Sequence, residues 1–139
     1  MISPEIEKIA RDMIEKNTYM QMLGMEIVAL DLGYAKGRMK MCEKIQNPYG
    51  GAHGGALYSL ADTICGTAAC TYGVYVCTVS GNMNYLLPAV NTEYIYCEAK
   101  MVRQGQHLAV YNMEITDDNG KLLQNGTFTF FIMEAPVQE

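Results

Sequence analysis

The sequence predicts an α+β fold in which one antiparallel sheet wraps around, or packs on, a single central helix. Two segments have helical periodicity, one at the N-terminus and one in mid-chain, and six runs alternate like strands. The four runs after the mid-chain helix are joined by short turns, which favour antiparallel pairing. The 139 residues match the size of one ordinary domain. Residues 1–139 are therefore interpreted as one unit, with an N-terminal helix and lead-in at 1–19.

The first element is predicted to be a helix at residues 4–16. Ser3 suits the N-cap because its hydroxyl can accept from a free backbone N–H, and Pro4 suits the first helical position. The spacing of the apolar residues predicts one buried face. That face consists of Ile6, Ile9, Ala10, Met13 and Ile14.

Two strands are predicted next, at residues 25–32 and 34–41, joined through Asp31-Leu32-Gly33. The second strand carries basic side chains on one face, and this is the main basic feature of the chain. A solvated strand face is the favoured interpretation, and an anion-binding site is the alternative. The basic residues are Lys36, Arg38 and Lys40, with Lys44 nearby.

The mid-chain helix is predicted at residues 54–70. Its core stripe is Leu57, Leu60, Ala61, Ile64 and Ala68. Another flank gathers Gly55, Tyr58, Asp62, Gly66 and Ala69, since residues three or four apart share a helix face. Glycine inside a helix costs about 1 kcal/mol relative to alanine. Gly66 therefore indicates that a neighbouring backbone or a ligand comes close at that point.

Strands are predicted for most of the remaining chain. The runs lie at residues 75–87, 93–103, 107–116 and 122–133. The turn with the strongest hairpin chemistry is Asp117-Asp118-Asn119-Gly120.

Composition limits the classes of function. Apolar residues make up 50% of the chain and charged residues only 18%, which suggests that part of the surface is hidden in an oligomer. No apolar run approaches about 18 residues, and the acidic N-terminus differs from a secretory signal, so we expect a cytoplasmic protein that does not enter a membrane. The formal charge of −5 disfavours nucleic-acid binding. Five cysteines without a CxxC pair favour buried reduced thiols over disulfides or a metal site.

The chemistry-bearing segment is NPYGGAHGGALYSLADTICG, residues 47–66. Its glycines stand at the start of the mid-chain helix, where backbone N–H groups lack intrahelical partners and the helix dipole is positive. Such a terminus stabilises an oxyanion, and Asp62 follows about two turns later as a candidate base. This pairing suits acyl transfer to water. A thioester fits well, because a thiolate leaves without a strong general acid.

A phosphate site is the other use of a glycine-rich helix start, but the pattern GxxxxGK[ST] is absent. The asparagine, the HGG and the LAD of residues 47–66 closely resemble the PaaI-like branch of the hotdog-fold acyl-CoA thioesterases. The resemblance continues in MNYLLPA at 83–89, VRQGQHLAVY at 102–111 and NGTFTFFI at 125–132. It implies a curved sheet around the central helix, units pairing edge to edge, and dimers assembling into tetramers with shared sites.

The resemblance also implies catalytic roles. Asp62 matches the carboxylate that acts as general base through water or, alternatively, as nucleophile, and Gly54 matches the residue whose N–H polarises the thioester carbonyl. Asn47 matches an amide that helps orient or polarise the same region. His53 matches a motif histidine that we interpret as positioning the loop, with proton transfer as the alternative. Thr78 lies near a hydroxyl position that holds the catalytic water in some relatives, although Ser80 fits that alignment equally.

Two sets of residues are candidates for contacting the substrate. Tyr58, Cys65, Val79 and Met83 are candidates for lining an acyl pocket, and Lys44, Lys100 and Arg103 are candidates for contacting coenzyme A. The N-terminal helix either covers the pocket mouth or packs on the sheet. The predicted substrate-binding positions are Gly55, Tyr58, Ser80, Met83 and Arg103. No separate cofactor or metal is expected, because coenzyme A enters as part of the substrate.

Two other functions fit the same fold. A hydratase or dehydratase of enoyl- or hydroxyacyl-CoA would use His53 and Asp62 as its acid–base pair. A non-catalytic acyl-CoA-binding protein would need neither group. The paired glycines of HGG fit oxyanion stabilisation better than hydration, and a retained carboxylate is unnecessary for binding alone.

Overall fold

The computed structural model describes residues 2–133 and contains three α-helices and six strands within that range. The bounds of the two predicted helices and six predicted strands match the observed ones to within two residues, and a second, short helix at Thr18–Met22 was not predicted. A short 3₁₀ helix at Glu43–Ile45 precedes the glycine-rich loop. The elements are α1 Pro4–Lys16, α2 Thr18–Met22, β1 Met25–Asp31, β2 Tyr34–Lys40, α3 Gly54–Cys70, β3 Tyr75–Tyr85, β4 Tyr94–Gln104, β5 Leu108–Thr116 and β6 Leu122–Met133.

All six strands form one antiparallel sheet in the order β1-β2-β4-β5-β6-β3. The antiparallel prediction is confirmed, but the expectation that consecutive strands pair is wrong for β3 and β4. Strand β4 uses both of its edges, one for β2 and the other for β5, so β3 pairs with β6 instead. Strand β3 therefore ends the sheet, and the described residues place no strand on its outer edge.

The sheet curves around α3, which contacts strands from both halves of it. Apolar residues of α3 at helical spacing face the inner side of the sheet, as predicted. They meet alternating side chains such as Ile95, Ile115 and Phe128, all fully buried. The five residues of the predicted core stripe are all buried: Leu57, Leu60, Ala61, Ile64 and Ala68.

Helix α1 begins and ends where its sequence predicts. The Ser3 hydroxyl accepts a hydrogen bond from the Ile6 N–H at 3.2 Å, which confirms the N-cap. The predicted buried face is only half correct, because Ile9 and Met13 are each 41% exposed in the single chain. Helix α1 lies at the edge of the fold, so only one side of its stripe reaches the core.

The basic face of β2 is occupied by neighbours of the same sheet. Arg38 pairs with Glu26 and lies over the ring of Tyr94, and Lys36 lies over the ring of Tyr96. These contacts satisfy the two cations without a ligand. The solvated-face interpretation of this strand therefore fits the structure better than the anion site.

The cysteines divide into two groups. Cys65, Cys70 and Cys97 are buried as expected, whereas Cys42 and Cys77 are exposed, and all five are free thiols. The expectation of buried thiols is wrong for these two because Cys42 lies in the loop after β2 and Cys77 in the edge strand β3. Over residues 2–133, no helix is long and apolar enough to span a membrane.

Candidate active site

The N-terminus of α3 presents a free backbone donor. His53 is the N-cap residue, and its Nδ1 accepts the Gly55 N–H at 2.8 Å. The next two N–H groups bond to the His53 carbonyl oxygen. Among residues 2–133 the Gly54 N–H makes no hydrogen bond. Gly54 therefore offers an N–H at the positive end of a 17-residue helix.

Asn47 organises the loop that leads to this terminus. Its Oδ1 accepts from the backbone N–H groups of Tyr49 at 2.9 Å and Gly51 at 3.1 Å. Its Nδ2 makes only a long contact of 3.5 Å with the Ala52 carbonyl oxygen. The amide oxygen thus holds the loop, and the amide N–H groups remain able to donate to another acceptor.

Asp62 is half-buried on α3 and is held by one hydroxyl. Thr78 Oγ1 donates to Asp62 Oδ1 at 2.7 Å. Burial raises the pKa of the Asp62 carboxyl above its ordinary value, and the hydrogen bond from Thr78 opposes that rise. A carboxylate with a raised pKa is a stronger base than one in open water, which suits proton abstraction.

A cavity of about 180 Å³ opens beside Asp62. Helix α1 forms one of its walls, so α1 lies over this pocket as well as packing on the fold. Gly66 also lines the cavity, and a Cβ added there would make only an ordinary van der Waals contact, 3.4 Å from the Phe130 ring. The expectation of a neighbouring backbone at Gly66 is therefore wrong among residues 2–133, and close approach of a ligand stays a prediction. The apolar lining consists of Ala10, Met13, Ile14, Gly66, Val76 and Phe130.

A bulge in β3 separates Thr78 from Ser80. Val79 has no partner in the β3–β6 register, whereas Thr78 pairs with Phe130 and Ser80 pairs with Thr129. Directly paired residues share a face of the sheet, and Phe130 faces the core. Thr78 therefore points toward α3, and Ser80 lies on the outer face, away from Asp62. Of these two hydroxyls, that of Thr78 is the one bonded to Asp62.

A second cavity of about 260 Å³ adjoins the Gly54 N–H. The Tyr85 hydroxyl donates to the Gly54 carbonyl oxygen at 2.8 Å and so fixes the first turn of α3. The polar groups at this cavity come from Asn47, Gly54, Tyr85 and Gln124. Its remaining walls are mostly apolar, from Leu57, Leu86, Leu87, Pro88 and Ala89.

Gly54 and Asp62 do not meet within one chain. They are separated by eight residues of α3, and at about 1.5 Å per residue this spacing corresponds to roughly 12 Å along the helix axis. They also line different cavities. One carbonyl group cannot accept from Gly54 and be attacked beside Asp62 of the same chain.

The other residues predicted to bind the substrate do not lie together at either cavity. The Gly55 N–H is taken by His53, and Tyr58 packs edge-on against Phe128 with ring centroids 5.1 Å apart. Met83 packs against the core, and Arg103 is exposed near the end of β4. None of these side chains lines either cavity. Among residues 2–133, no group of three His, Cys, Asp or Glu side chains is placed to hold a metal ion.

Two residues near Gly54 were missed by the sequence reasoning. Tyr85 lies inside the motif MNYLLPA, but nothing in the motif assigns its hydroxyl a partner. Gln124 could have been found by alternation, because it stands an even number of residues from Phe128 and Phe130 and so shares their core-facing side. A polar side chain at such a position is unusual.

A curved antiparallel sheet around one helix, with a carboxylate on the helix and a free N–H at its start, matches the arrangement that the resemblance to the hotdog-fold acyl-CoA thioesterases implies. The sequence model of the thioesterase superfamily matches residues 49–124. The PaaI acyl-coenzyme A thioesterase of Escherichia coli K12 is 29% identical over 112 residues, covering 81% of this chain and 80% of that protein. Human acyl-coenzyme A thioesterase 13 is 29% identical over 132 residues, covering 92% of this chain and 94% of that protein.

The solved structure of the E. coli PaaI protein from the phenylacetic acid degradation operon shares the fold, with a TM-score of 0.92 at 24% identity over 99% of this chain and all of that one. The chain belongs to the thioesterase superfamily and is a PaaI-like hotdog thioesterase. It is therefore a thioester hydrolase.

Proposed function

We propose that this protein hydrolyses the thioester of an acyl-CoA to the free acid and coenzyme A. The observation that carries the proposal is the pair of complementary groups on α3, the free Gly54 N–H and the Thr78-bound Asp62 carboxylate. One stabilises a developing oxyanion and the other activates water. The relatives named acyl-coenzyme A thioesterase support the choice of thioester. His53 positions the loop, because its Nδ1 is already used as the helix cap.

The complete site combines two chains. Gly54 and Asn47 of one chain face Asp62 and Thr78 of a second, because each chain holds the two halves apart in different cavities. The free outer edge of β3 supports this arrangement, since an unpaired strand edge can pair with the same strand of another copy. Strand β3 also carries Thr78, so pairing there brings the second chain close to Asp62.

The reaction begins with a water molecule beside Asp62. The carboxylate takes a proton from this water, whose oxygen attacks the thioester carbonyl carbon. The carbonyl oxygen becomes an oxyanion that accepts from the Gly54 N–H and the Asn47 amide of the other chain. The C–S bond then breaks, coenzyme A leaves as thiolate, and the proton on Asp62 passes to the thiolate or to solvent. Thr78 orients the carboxylate and can also accept a hydrogen bond from the attacking water.

The activity is tested with a panel of acyl-CoA thioesters and a thiol-reactive dye that reports free coenzyme A. Saturable, enzyme-dependent thiol release is the expected result. Hydration of enoyl-CoA is followed in parallel by loss of its absorbance. Hydration without thiol release, or binding of acyl-CoA without turnover, would contradict the proposal.

Replacing Thr78 by valine should shift the pH dependence of kcat/KM. Asp62 acts as a base only when deprotonated, so activity falls at low pH as its carboxylate becomes protonated. The hydrogen bond from Thr78 lowers the pKa of Asp62, so its loss raises that pKa further. We expect the acid limb of the profile of Thr78→Val to lie at higher pH than that of wild type. The same replacement at Thr127, an exposed residue that donates to Asn112, is the control and should leave the limb in place. If the acid limb of the kcat/KM profile lies at the same pH in Thr78→Val as in wild type, protonation of Asp62 does not determine that limb.

Two inactive variants should rescue each other if the site is shared. When Asn47→Ala and Asp62→Ala chains are co-refolded in equal amounts, half of the dimers are mixed. Each mixed dimer then has one intact and one doubly altered site. Activity should reach about one quarter of wild type, well above either parent.

The matched control is a mixture of Asn47→Ala and Gly54→Pro. Both changes fall on the loop half of the site, so no mixed dimer regains an intact site and no rescue is expected. The test uses folded, subunit-exchanging proteins, verified by circular dichroism and by recovery of differently tagged chains together. If the mixture of Asn47→Ala and Asp62→Ala has only the average activity of the two variants, each active site lies within one chain.

A further inference from the structure

Gln124 is a buried polar residue on the inner face of the sheet. It lies on β6 between two cross-strand neighbours, Tyr85 on β3 and Ile115 on β5. Its side chain is 2% exposed, yet its Oε1 has no hydrogen-bond partner among residues 2–133. Buried amides in folded proteins are nearly always satisfied, so an orphaned one points to a partner beyond residues 2–133.

This amide belongs to the cavity beside the Gly54 N–H. The cavity of about 260 Å³ has mostly apolar walls and few polar groups. Gly54, Asn47 and Gln124 line this cavity from three different elements, the helix start, the loop before it and the sheet. A pocket with apolar walls and a few convergent polar groups is typical of a ligand site.

The Gln124 side chain is a primary amide, and this indicates which part of the substrate it can hydrogen-bond. A primary amide is complemented by another amide, because each provides both a donor and an acceptor. This match holds whichever way the oxygen and nitrogen of the Gln124 side chain are oriented. In an acyl-CoA the thiol arm carries a secondary amide two methylene groups from the sulfur. A carbonyl held at Gly54 therefore places an amide close by in the same small cavity.

We propose that Gln124 is a substrate-binding residue that hydrogen-bonds the amide of the thiol arm nearest the thioester sulfur. This inference rests on the proposed acyl-CoA thioesterase function and assigns the Gly54 cavity to the thiol arm. The cavity beside Asp62 is left for the acyl group and the attacking water. The enzyme thereby selects for the amide-bearing leaving group as well as for the thioester.

The test compares two thioesters of the same acid. One is the N-acetylcysteamine thioester, which keeps the amide, and the other is an alkyl thioester of similar length, which lacks it. The variant is Gln124→Met, an unbranched apolar side chain of similar size. We expect kcat/KM for the amide-bearing thioester to fall about tenfold, mainly through KM, the scale of one lost hydrogen bond in a dry site. The alkyl thioester should be hydrolysed as fast as by wild type, or faster.

The results distinguish failure of the Gln124 inference from failure of the proposed function. An equal loss on both thioesters would overturn the inference and show that Gln124 acts on the fold or on a subunit contact, which gel filtration would reveal. Hydrolysis of neither thioester, nor of any acyl-CoA, by the wild-type enzyme would instead contradict the proposed function itself. If Gln124→Met does not fold, Gln124→Leu replaces it. The comparison of the two thioesters with the wild-type enzyme tests the inference without any variant. Equal kcat/KM for the two thioesters would exclude recognition of the amide.

Discussion

Asp62→Asn should lower turnover of a good acyl-CoA substrate by at least about a hundredfold, the usual scale for a positioned base. The amide has nearly the same shape as the carboxylate but cannot take a proton from water. The loss should appear in kcat, because substrate binding at Gly54 is unchanged. Steady-state kinetics of thiol release measures it.

The same variant should fold at least as well as wild type. Burial raises the pKa of Asp62 in the folded protein, so the charged carboxylate costs stability at neutral pH. The neutral amide removes this cost. The melting temperature of Asp62→Asn should therefore equal or exceed that of wild type at pH 7. This advantage should shrink as the pH falls through the raised folded-state pKa of Asp62 and be absent below its unfolded-state pKa.

A matched control distinguishes loss of the catalytic carboxylate from the loss of one negative charge elsewhere on the protein. Asp12→Asn makes the same chemical change on the exposed side of α1, where Asp12 pairs with Lys8 at 2.9 Å. Turnover of this variant should stay close to that of wild type. Near-normal turnover by Asp62→Asn would remove Asp62 from the mechanism.

Gly54→Pro should cost about 3 kcal/mol or more in transition-state stabilisation, which is roughly two orders of magnitude in kcat/KM, because it deletes the proposed oxyanion donor. The backbone is suited to the change. Gly54 is the first residue of α3, where proline is well tolerated, and His53 already has the extended conformation, with ψ 132°, that a residue before proline adopts. The lost N–H bonds to no group among residues 2–133, so no intramolecular hydrogen bond is broken.

Gly54→Ala is the control for crowding. It keeps the N–H and adds a Cβ that would lie 3.3 Å from the Tyr85 ring, a contact that proline also makes. We expect Gly54→Ala to lose much less activity than Gly54→Pro when both are folded by circular dichroism. Equal rates for the two variants would mean that the Gly54 N–H does not stabilise the transition state.

The sequence by itself determined the main helices and strands of this protein and indicated the family to which it belongs. Hydrophobic periodicity located α1, α3 and the strands, because helices and strands repeat with different periods that tertiary contacts do not alter. The HGG and LAD of residues 47–66 indicated the fold family through their resemblance to the hotdog-fold acyl-CoA thioesterases. These are local properties, and a chain segment carries them before it folds.

Only the tertiary structure decided which residues meet. The pairing of β3 with β6 rather than β4, the bulge that directs Thr78 but not Ser80 toward Asp62, and the placing of α1 over the Asp62 cavity all depend on contacts between distant segments. Gln124 illustrates the same limit. Alternation assigns it to the inner face, but its lack of a partner becomes visible only when every neighbour is in place, because satisfaction of a hydrogen bond is a property of the packed chain.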